Sequence, residues 1–174
     1  MNNISFHITD ITANSIRARA TVIDLILVEK QGTRSVTVAD NGCGMDAETL
    51  HQVTNPFYTT RTTRKVGLGL PFLKQNVEQT GGELQAWSKP GEGTRITAIF
   101  KSGHIDCPPW GDLAGTVALL ITGNPDVDIR FHYETDTHDF AISSKEIMEA
   151  LDGIPLSHPQ VSTWLTEMIR ENIL

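Results

Sequence analysis

The richest chemistry in this chain gathers between residues 55 and 70. Residues 49–77 contain no Asp or Glu but four cations: Arg61, Arg64, Lys65 and Lys74. Within them, Tyr58-Thr59-Thr60-Arg61-Thr62-Thr63-Arg64 supplies hydroxyl donors and positive charge, and leads into Gly67-Leu68-Gly69-Leu70. A helix starting there would add unpaired backbone N–H groups and the positive end of its dipole, which together make an anion site. A second signal is Asp40. Val36, Val38 and Asp40 alternate, so the carboxylate shares a strand face with two apolar residues and needs a partner there. Asn41-Gly42-Cys43-Gly44 follows, with glycines that let backbone approach a flat group closely. A third is the set His7, Asp10, Asn14 and Arg17, stepping by three, four and three along a helical stripe. Such a stripe is also what a solvated face looks like, and on its own it carries both readings.

These residues need elements to hold them. Ile4, Ile8, Ile11, Ser15 and Ala18 predict a helix over 4–18, its packing stripe roughly 100° from the polar one. Residues 20–29 and 35–39 predict a hairpin closed by Lys30-Gln31-Gly32-Thr33. Asp46 would cap a short helix to Gln52, and a helix from about Leu70 to Thr80 would start at Pro71 and stop at Gly81-Gly82. Strands at 83–88 and 94–101 follow, joined by Pro90-Gly91-Glu92-Gly93. The order implies α+β architecture: a two-layer α/β sandwich with a mixed sheet and helices on one face.

Beyond it, 102–113 (SGHIDCPPWGDL) reads as a linker, with two prolines and two glycines. Residues 114–121, 127–135 and 140–143 read as strands, and two closing helices carry the capping patterns Ser143-x-x-Glu146 and Ser157-x-x-Gln160. In the last helix Val161, Trp164, Leu165, Met168 and Ile173 form the apolar face. The expected organisation is therefore 1–101 as one domain, 102–113 as a linker and 114–174 as a small acidic α+β unit. Charge supports that division. Residues 1–101 carry 11 Lys/Arg against 9 Asp/Glu, and residues 102–174 carry 3 against 12. The acidic half disfavours nucleic acid as a partner. No apolar run reaches the ~20 residues of a membrane helix, the N-terminus lacks signal-peptide pattern, and two cysteines make no disulfide framework, so a cytoplasmic location is expected.

Four motifs then agree in order and spacing with one family: Asp10-Ile-Thr-Ala-Asn14-Ser-Ile-Arg17, Asp40-Asn-Gly42-Cys-Gly44-Met45, Gly67-Leu-Gly69-Leu70 and Gly91-Glu-Gly93-Thr94. Residues 4–101 resemble the ATP-binding (Bergerat) domain of the superfamily that includes sensor histidine kinases, gyrase, the large heat-shock chaperone and the mismatch-repair ATPases. Asn55-Pro-Phe57-Tyr-Thr59-Thr60-Arg61 also resembles the phenylalanine-threonine motif of the kinase branch. The resemblance implies ATP and Mg2+ as ligands. It assigns the metal to Asn14, the adenine amino group to Asp40, the purine plane to Gly42 and Gly44, and a hydroxyl near the ring to Thr94. Arg17, Lys65, Thr59, Thr60 and Arg61 would address the phosphates, while Gly67, Leu68, Gly69 and Leu70 would form the hinged, phosphate-facing lid. Lys65 stands where the family usually has glycine, and the strand that often precedes the metal-binding helix is missing.

The residue four before Asn14 is Asp10, where sensor kinases of this superfamily typically have asparagine and hydrolysing members or serine kinases have an acid. A carboxylate there could deprotonate water or a hydroxyl; it could equally support Asn14 alone. With only nine residues before Asp10, a self-contained histidine autokinase is not expected. Three readings stay open: an ATPase or a kinase acting in trans on a separate phosphoacceptor protein, a nucleotide-gated binding module, and a subunit docked through its acidic C-terminal unit. A homodimer fits any of them.

Overall fold

The computed structural model describes residues 3–55 and 69–174. Helix α1 (Ile4–Arg17) opens the fold, with Asn3 accepting the Phe6 N–H at 2.8 Å as its cap. Strands β1 (Val22–Lys30) and β2 (Thr33–Asp40) form the expected hairpin, and α2 (Ala47–Thr54) starts at the Asp46 cap. Then come α3 (Gly69–Gln79), β3 (Glu83–Lys89) and β4 (Gly93–Lys101). The C-terminal part holds α4 (Leu113–Gly123), β5 (Asp128–Thr135), β6 (Asp139–Ser143), α5 (Ser144–Leu151) and α6 (Pro159–Ile173).

All six strands form a single sheet in the order β3-β4-β2-β1-β5-β6. Every neighbouring pair is antiparallel except β1 and β5, which run parallel from Val22↔Asp128 to Glu29↔Thr135. One face is covered by helices. Ile23, Leu25 and Leu27 of β1, Val36 and Val38 of β2, Ile96, Ala98 and Phe100 of β4, and Ile129 and Phe131 of β5 are buried there. Ile4, Ile8 and Ile11 of α1, Leu73 and Val77 of α3, Val117 and Ile121 of α4, and Leu165 and Ile169 of α6 meet them in one core cluster. Each such Val, Leu, Ile or Phe side chain contributes about 1.5–3 kcal/mol by leaving water.

Three expectations are corrected. Residues 114–121 are not a strand: α4 forms there because Asp112 caps it by accepting the Gly115 N–H at 3.1 Å, and because Leu113, Val117 and Ile121 recur every four residues on one buried face. A short run of apolar residues carries no period strong enough to separate the two forms. Nor do residues 114–174 stand apart: β5 and β6 extend the same sheet, and their core is the common one. The final helix is capped by His158, not Ser157, since Pro159 takes the first helical position, where its missing N–H costs nothing.

The segment 102–112 is bonded on both sides. Glu29, at the far end of β1, accepts Arg34 Nε and Trp110 Nε1, both at 2.7 Å, and Arg34 Nη1 reaches the Pro108 carbonyl at 3.2 Å. The Arg34 guanidinium sits 5.5 Å from the centre of the Trp110 ring, which in turn meets Tyr133 edge-on at 6.1 Å. The Pro109 and Trp110 carbonyls accept the Ile4 and Ser5 N–H groups at 2.9 Å, satisfying first-turn donors of α1. The clamp therefore positions the helix that carries Asp10 and Asn14.

Removing residues 105–174 should abolish cooperative folding. It strips β5 from β1, α4 and α6 from the core, and two acceptors from α1. Thermal unfolding of residues 1–104 followed by circular dichroism should show no sigmoidal transition; a sharp transition with retained ATP-analogue binding would refute the dependence.

Candidate functional site

A cleft of about 710 Å³ opens between the helical layer and the ends of β2 and β4. The register explains its floor: Asp40, last in β2, pairs with Thr94 of β4, which pairs with Ser88 of β3. Asp40 and Thr94 therefore share the helix-covered face. Apolar walls come from Ile11 and Ala18 of the α1 region, Val38, Ile96, Val53 of α2 and Leu70 of α3.

The carboxylate of Asp40 is held at both oxygens. Ser15 Oγ donates to Oδ2 at 2.6 Å, and the Gly42 N–H donates to Oδ1 at 2.8 Å. Each carboxylate oxygen keeps further lone-pair capacity, so the group can still accept from a ligand N–H. Ser88 accepts the Met45 N–H at 2.8 Å and lies 3.0 Å from the Gly93 carbonyl and 2.8 Å from Thr94 Oγ1. With its one proton given to the carbonyl, Ser88 receives the Thr94 proton, leaving the lone pairs of Thr94 free. An apolar slot ending in a fixed carboxylate and a hydroxyl acceptor suits a flat heterocycle bearing an exocyclic amine.

The glycines work differently from the expectation. Gly44 lines the cleft with φ +68°, but a Cβ on it would lie 1.9 Å from the Lys89 carbonyl oxygen. Gly93, at φ +112°, would place one 1.9 Å from the Asp40 carbonyl oxygen, and Gly42 would meet Ala18 at 2.8 Å. They let three backbone segments close around Asp40; their missing side chains face protein atoms. Asn41 secures the turn by accepting the Thr21 and Val22 N–H groups at 2.9 and 3.0 Å.

Asn14 and Arg17 line the cleft from α1, and an Arg17 guanidinium nitrogen donates to Asn14 Oδ1. Asp10 lies one turn earlier, away from the slot: its Oδ2 would be 3.2 Å from a Cβ built on Gly69, so the carboxylate abuts the first turn of α3. Thr59, Thr60, Arg61, Lys65, Gly67 and Leu68 lie outside the described residues. The four-residue polar stripe is divided by the fold. His7 is buried, packing against Phe72 at 5.4 Å, with Nε2 2.9 Å from Asn76 Nδ2 of α3. Burial lowers its pKa below the ordinary 6.5, against a smaller upward pull from Asp10. Sequence reasoning missed Ser15 and Ser88. A hydroxyl inside the apolar stripe of α1 was the signal for the first; nothing local marks the second.

A family profile described as histidine kinase-, DNA gyrase B- and HSP90-like ATPase matches residues 4–104. The chain belongs to this ATPase family. Membership implies ATP binding, and the α+β fold is that of the superfamily expected from the four motifs. Among relatives, sensor histidine kinase ZraS of Klebsiella oxytoca is 42% identical over 66 residues, covering 38% of this chain and 14% of its own. Sensor histidine kinase YvrG of Bacillus subtilis (strain 168) is 37% identical over 87 residues, covering 48% and 15%. Sensor kinase CckA of Brucella abortus (strain 2308) is 40% identical over 140 residues, covering 67% and 15%. This chain thus spans about a seventh of those relatives' length. The crystal structure of the N-terminal domain of a DNA repair protein shares the fold with a TM-score of 0.56 at 14% identity, over 82% of this chain and 52% of that one.

Replacing Ser15 with Ala should weaken binding of a fluorescent ATP analogue by roughly 5- to 30-fold, the equivalent of about 1–2 kcal/mol for one lost hydrogen bond to a charged group. Unfolding in urea should separate this loss from any change in stability. His7 gives a pH signature. Its folded pKa is lowered, so the unfolded chain binds the extra proton first, and stability falls as pH drops below about 6.5 towards the folded value. Urea midpoints from pH 7.5 to 5 should show this slope, and His7→Phe should flatten it; identical slopes in both proteins would exclude His7 as the source.

Proposed function

We propose that this protein binds Mg-ATP and moves the γ-phosphoryl group to water or to a separate protein, with Asp10 as the general base. The placement of Asp10 carries the reading. It sits outside the purine-shaped slot, one turn from Asn14 and against the first turn of α3, where the backbone N–H groups of a helix start favour phosphate. In this reading Asp40 accepts from the adenine amino group, Thr94 lies beside the ring, and Gly42 and Gly44 hold the floor. Arg17, Lys65, Thr59, Thr60 and Arg61 meet the phosphates, with Gly67, Leu68, Gly69 and Leu70 as the hinged lid.

Magnesium fits this site only together with the nucleotide. Among the described residues there is no cluster of three His, Cys, Asp or Glu side chains, whereas Asn14 Oδ1 is a hard oxygen donor beside the cleft. The cation would neutralise phosphate charge; the guanidinium now on Asn14 Oδ1 would be displaced towards the phosphates. In the transfer itself, the attacking oxygen or nitrogen bonds to the γ-phosphorus as the bond to the β-phosphate oxygen breaks. ADP leaves with the electron pair, and Asp10 takes the attacker's proton. In this reading the acceptor is a separate protein and the place is the cytoplasm; the named relatives support kinase-type chemistry alone, and the acidic C-terminal half stands against nucleic acid.

A nucleotide-gated binding module is the second reading, favoured by Phe6 and Phe72, which expose 42% and 36% of their surface on either side of His7, next to the end of the 55–70 segment.

Asp10→Asn should cut phosphate release or transfer from labelled ATP by about 10²- to 10⁴-fold while leaving analogue affinity within about threefold. Turnover near the wild-type rate would eliminate Asp10 as base. Incubation with cell extract distinguishes the acceptors: acid-labile label marks histidine, acid-stable label marks serine, and free phosphate alone marks hydrolysis.

A further inference from the structure

Position 7 lies on the packing side of α1, three residues after Ile4 and four before Ile11, and only 2% of it is exposed. An aliphatic side chain would fill that place without burying a polar group. The imidazole instead meets α3 twice, packing against Phe72 and reaching Asn76, which is itself buried. Asn76 Nδ2 carries only protons, so His7 Nε2 is the acceptor of that 2.9 Å contact. Burial lowers the pKa of the ring below 6.5, which keeps it neutral at pH 7. Its single ring proton therefore sits on Nδ1, and Nδ1 is buried with no hydrogen-bond partner among the described residues.

A second unpartnered group lies one turn away. Asp10 is half-buried and makes no hydrogen bond or ion pair among the described residues. Both side chains lie in the seam between α1 and α3: Asp10 abuts Gly69 at the start of α3, and His7 meets Phe72 and Asn76 further along it. Residues three apart on a helix bring their Cβ atoms within about 5–6 Å, and the Cα–Cβ bond of Asp10 tilts back towards the turn of His7. Asp10 is also the charge whose field acts on the ring, against the effect of burial. Phe6 and Phe72, the aromatic rings beside it, offer Nδ1 no acceptor. A buried N–H without an acceptor and a carboxylate without a donor are thus neighbours on one helix.

Given the reading of Asp10 as general base, we infer that His7 is its positioning residue: Nδ1–H donates to the Asp10 carboxylate during transfer, while Asn76 fixes the tautomer from the other side of the ring. The bond holds one carboxylate oxygen and leaves the second for the attacking water or hydroxyl. The attacker's proton goes to Asp10 and stays there, and the His7 proton stays on the ring. A carboxylate left to rotate is out of line for most of its time, and a misplacement of about 1 Å can cost on the order of 10²-fold in rate.

Two substitutions separate positioning from packing. His7→Asn places an amide N–H where Nδ1 was and gives up the Asn76 contact; His7→Gln keeps reach to Asn76 and loses the donor at Nδ1. With labelled ATP, kcat should fall about 10- to 100-fold in His7→Gln and His7→Phe but stay within about threefold of wild type in His7→Asn. KM and analogue affinity should hold within about threefold in all three. Rates that follow the urea midpoints of the variants, with His7→Gln the more active of the polar pair, would assign His7 to packing and overturn the inference. Combined with Asp10→Asn, His7→Phe should lower the residual rate by less than about twofold, because the two residues act as a unit; losses that multiply would overturn it too. Proton NMR of the full chain with isotope-labelled histidine gives a readout independent of turnover. The His7 Nδ1–H signal should move downfield when a non-hydrolysable Mg-ATP analogue binds, and should not in Asp10→Asn; a signal that moves alike in both proteins, or in neither, counts against the bond. Inactive Asp10→Asn beside fully active His7→Phe strikes His7 and leaves Asp10 as base, whereas fully active Asp10→Asn removes both.

Discussion

Close backbone approach around Asp40 governs this structure. The end of β2, the turn after it, the β3–β4 turn and the end of α1 converge where Gly42, Gly44 and Gly93 have no side chain to intervene. A single methyl group at Gly44 or Gly93 would overlap a carbonyl carbon or oxygen, so the convergence admits no gradual loosening. From that constraint the rest follows. Thr94 is brought into register with Asp40, Ser15 comes within hydrogen-bonding distance of the carboxylate, and Asn14 and Arg17 are carried to the rim. The orientation of one carboxylate is thus set by packing far larger than itself.

The two ends of α1 are fixed by different means. At its C-terminal end, Ser15 and Ala18 are tied to the strand end and its turn through the Asp40 carboxylate and the Cys43 N–H. At its N-terminal end, the carbonyls of Pro109 and Trp110 take the place of acceptors the helix lacks, while Glu29 binds Trp110 and Arg34 together. Between these anchors, His7 joins α1 to α3 through Asn76. The helix is therefore a strut whose position depends on residues from both halves of the sequence.

How legible this was depends on the range of the determining interaction. The helix at 4–17, the hairpin, the Asp46 cap and the Ser143–Glu146 capping box are written in local pattern, and the structure has them. Asp40 was readable because its strand parity placed a charge among valines. Residues 113–123 were not, because Leu, Ala, Val and Ile suit either state and the decision rests with the Asp112 cap and the packing of α6. The membership of β5 in the first sheet was equally invisible: an acidic, proline-preceded segment reads as a separate unit, and only its parallel pairing with β1 reveals otherwise. Ser15 was legible only as a packing residue until a partner from another element gave its hydroxyl a task. In each failure a contact distant in sequence outweighed a neutral local preference.

The parallel pairing of β1 with β5 also sets an order in time. Paired residues lie 106 positions apart (Val22 to Asp128), and closing that loop is among the slowest kinds of contact a domain this size makes. During synthesis, β1 emerges with one side hydrogen-bonded to β2 and the other bare, and it stays so until residues 128–135 have left the ribosome. An apolar strand reading Val-Ile-Asp-Leu-Ile-Leu-Val with an unpaired edge is a target for other growing chains. Synonymous or linker changes that delay residues 128–135 would be felt as lost yield of folded protein, with no mark on the finished structure.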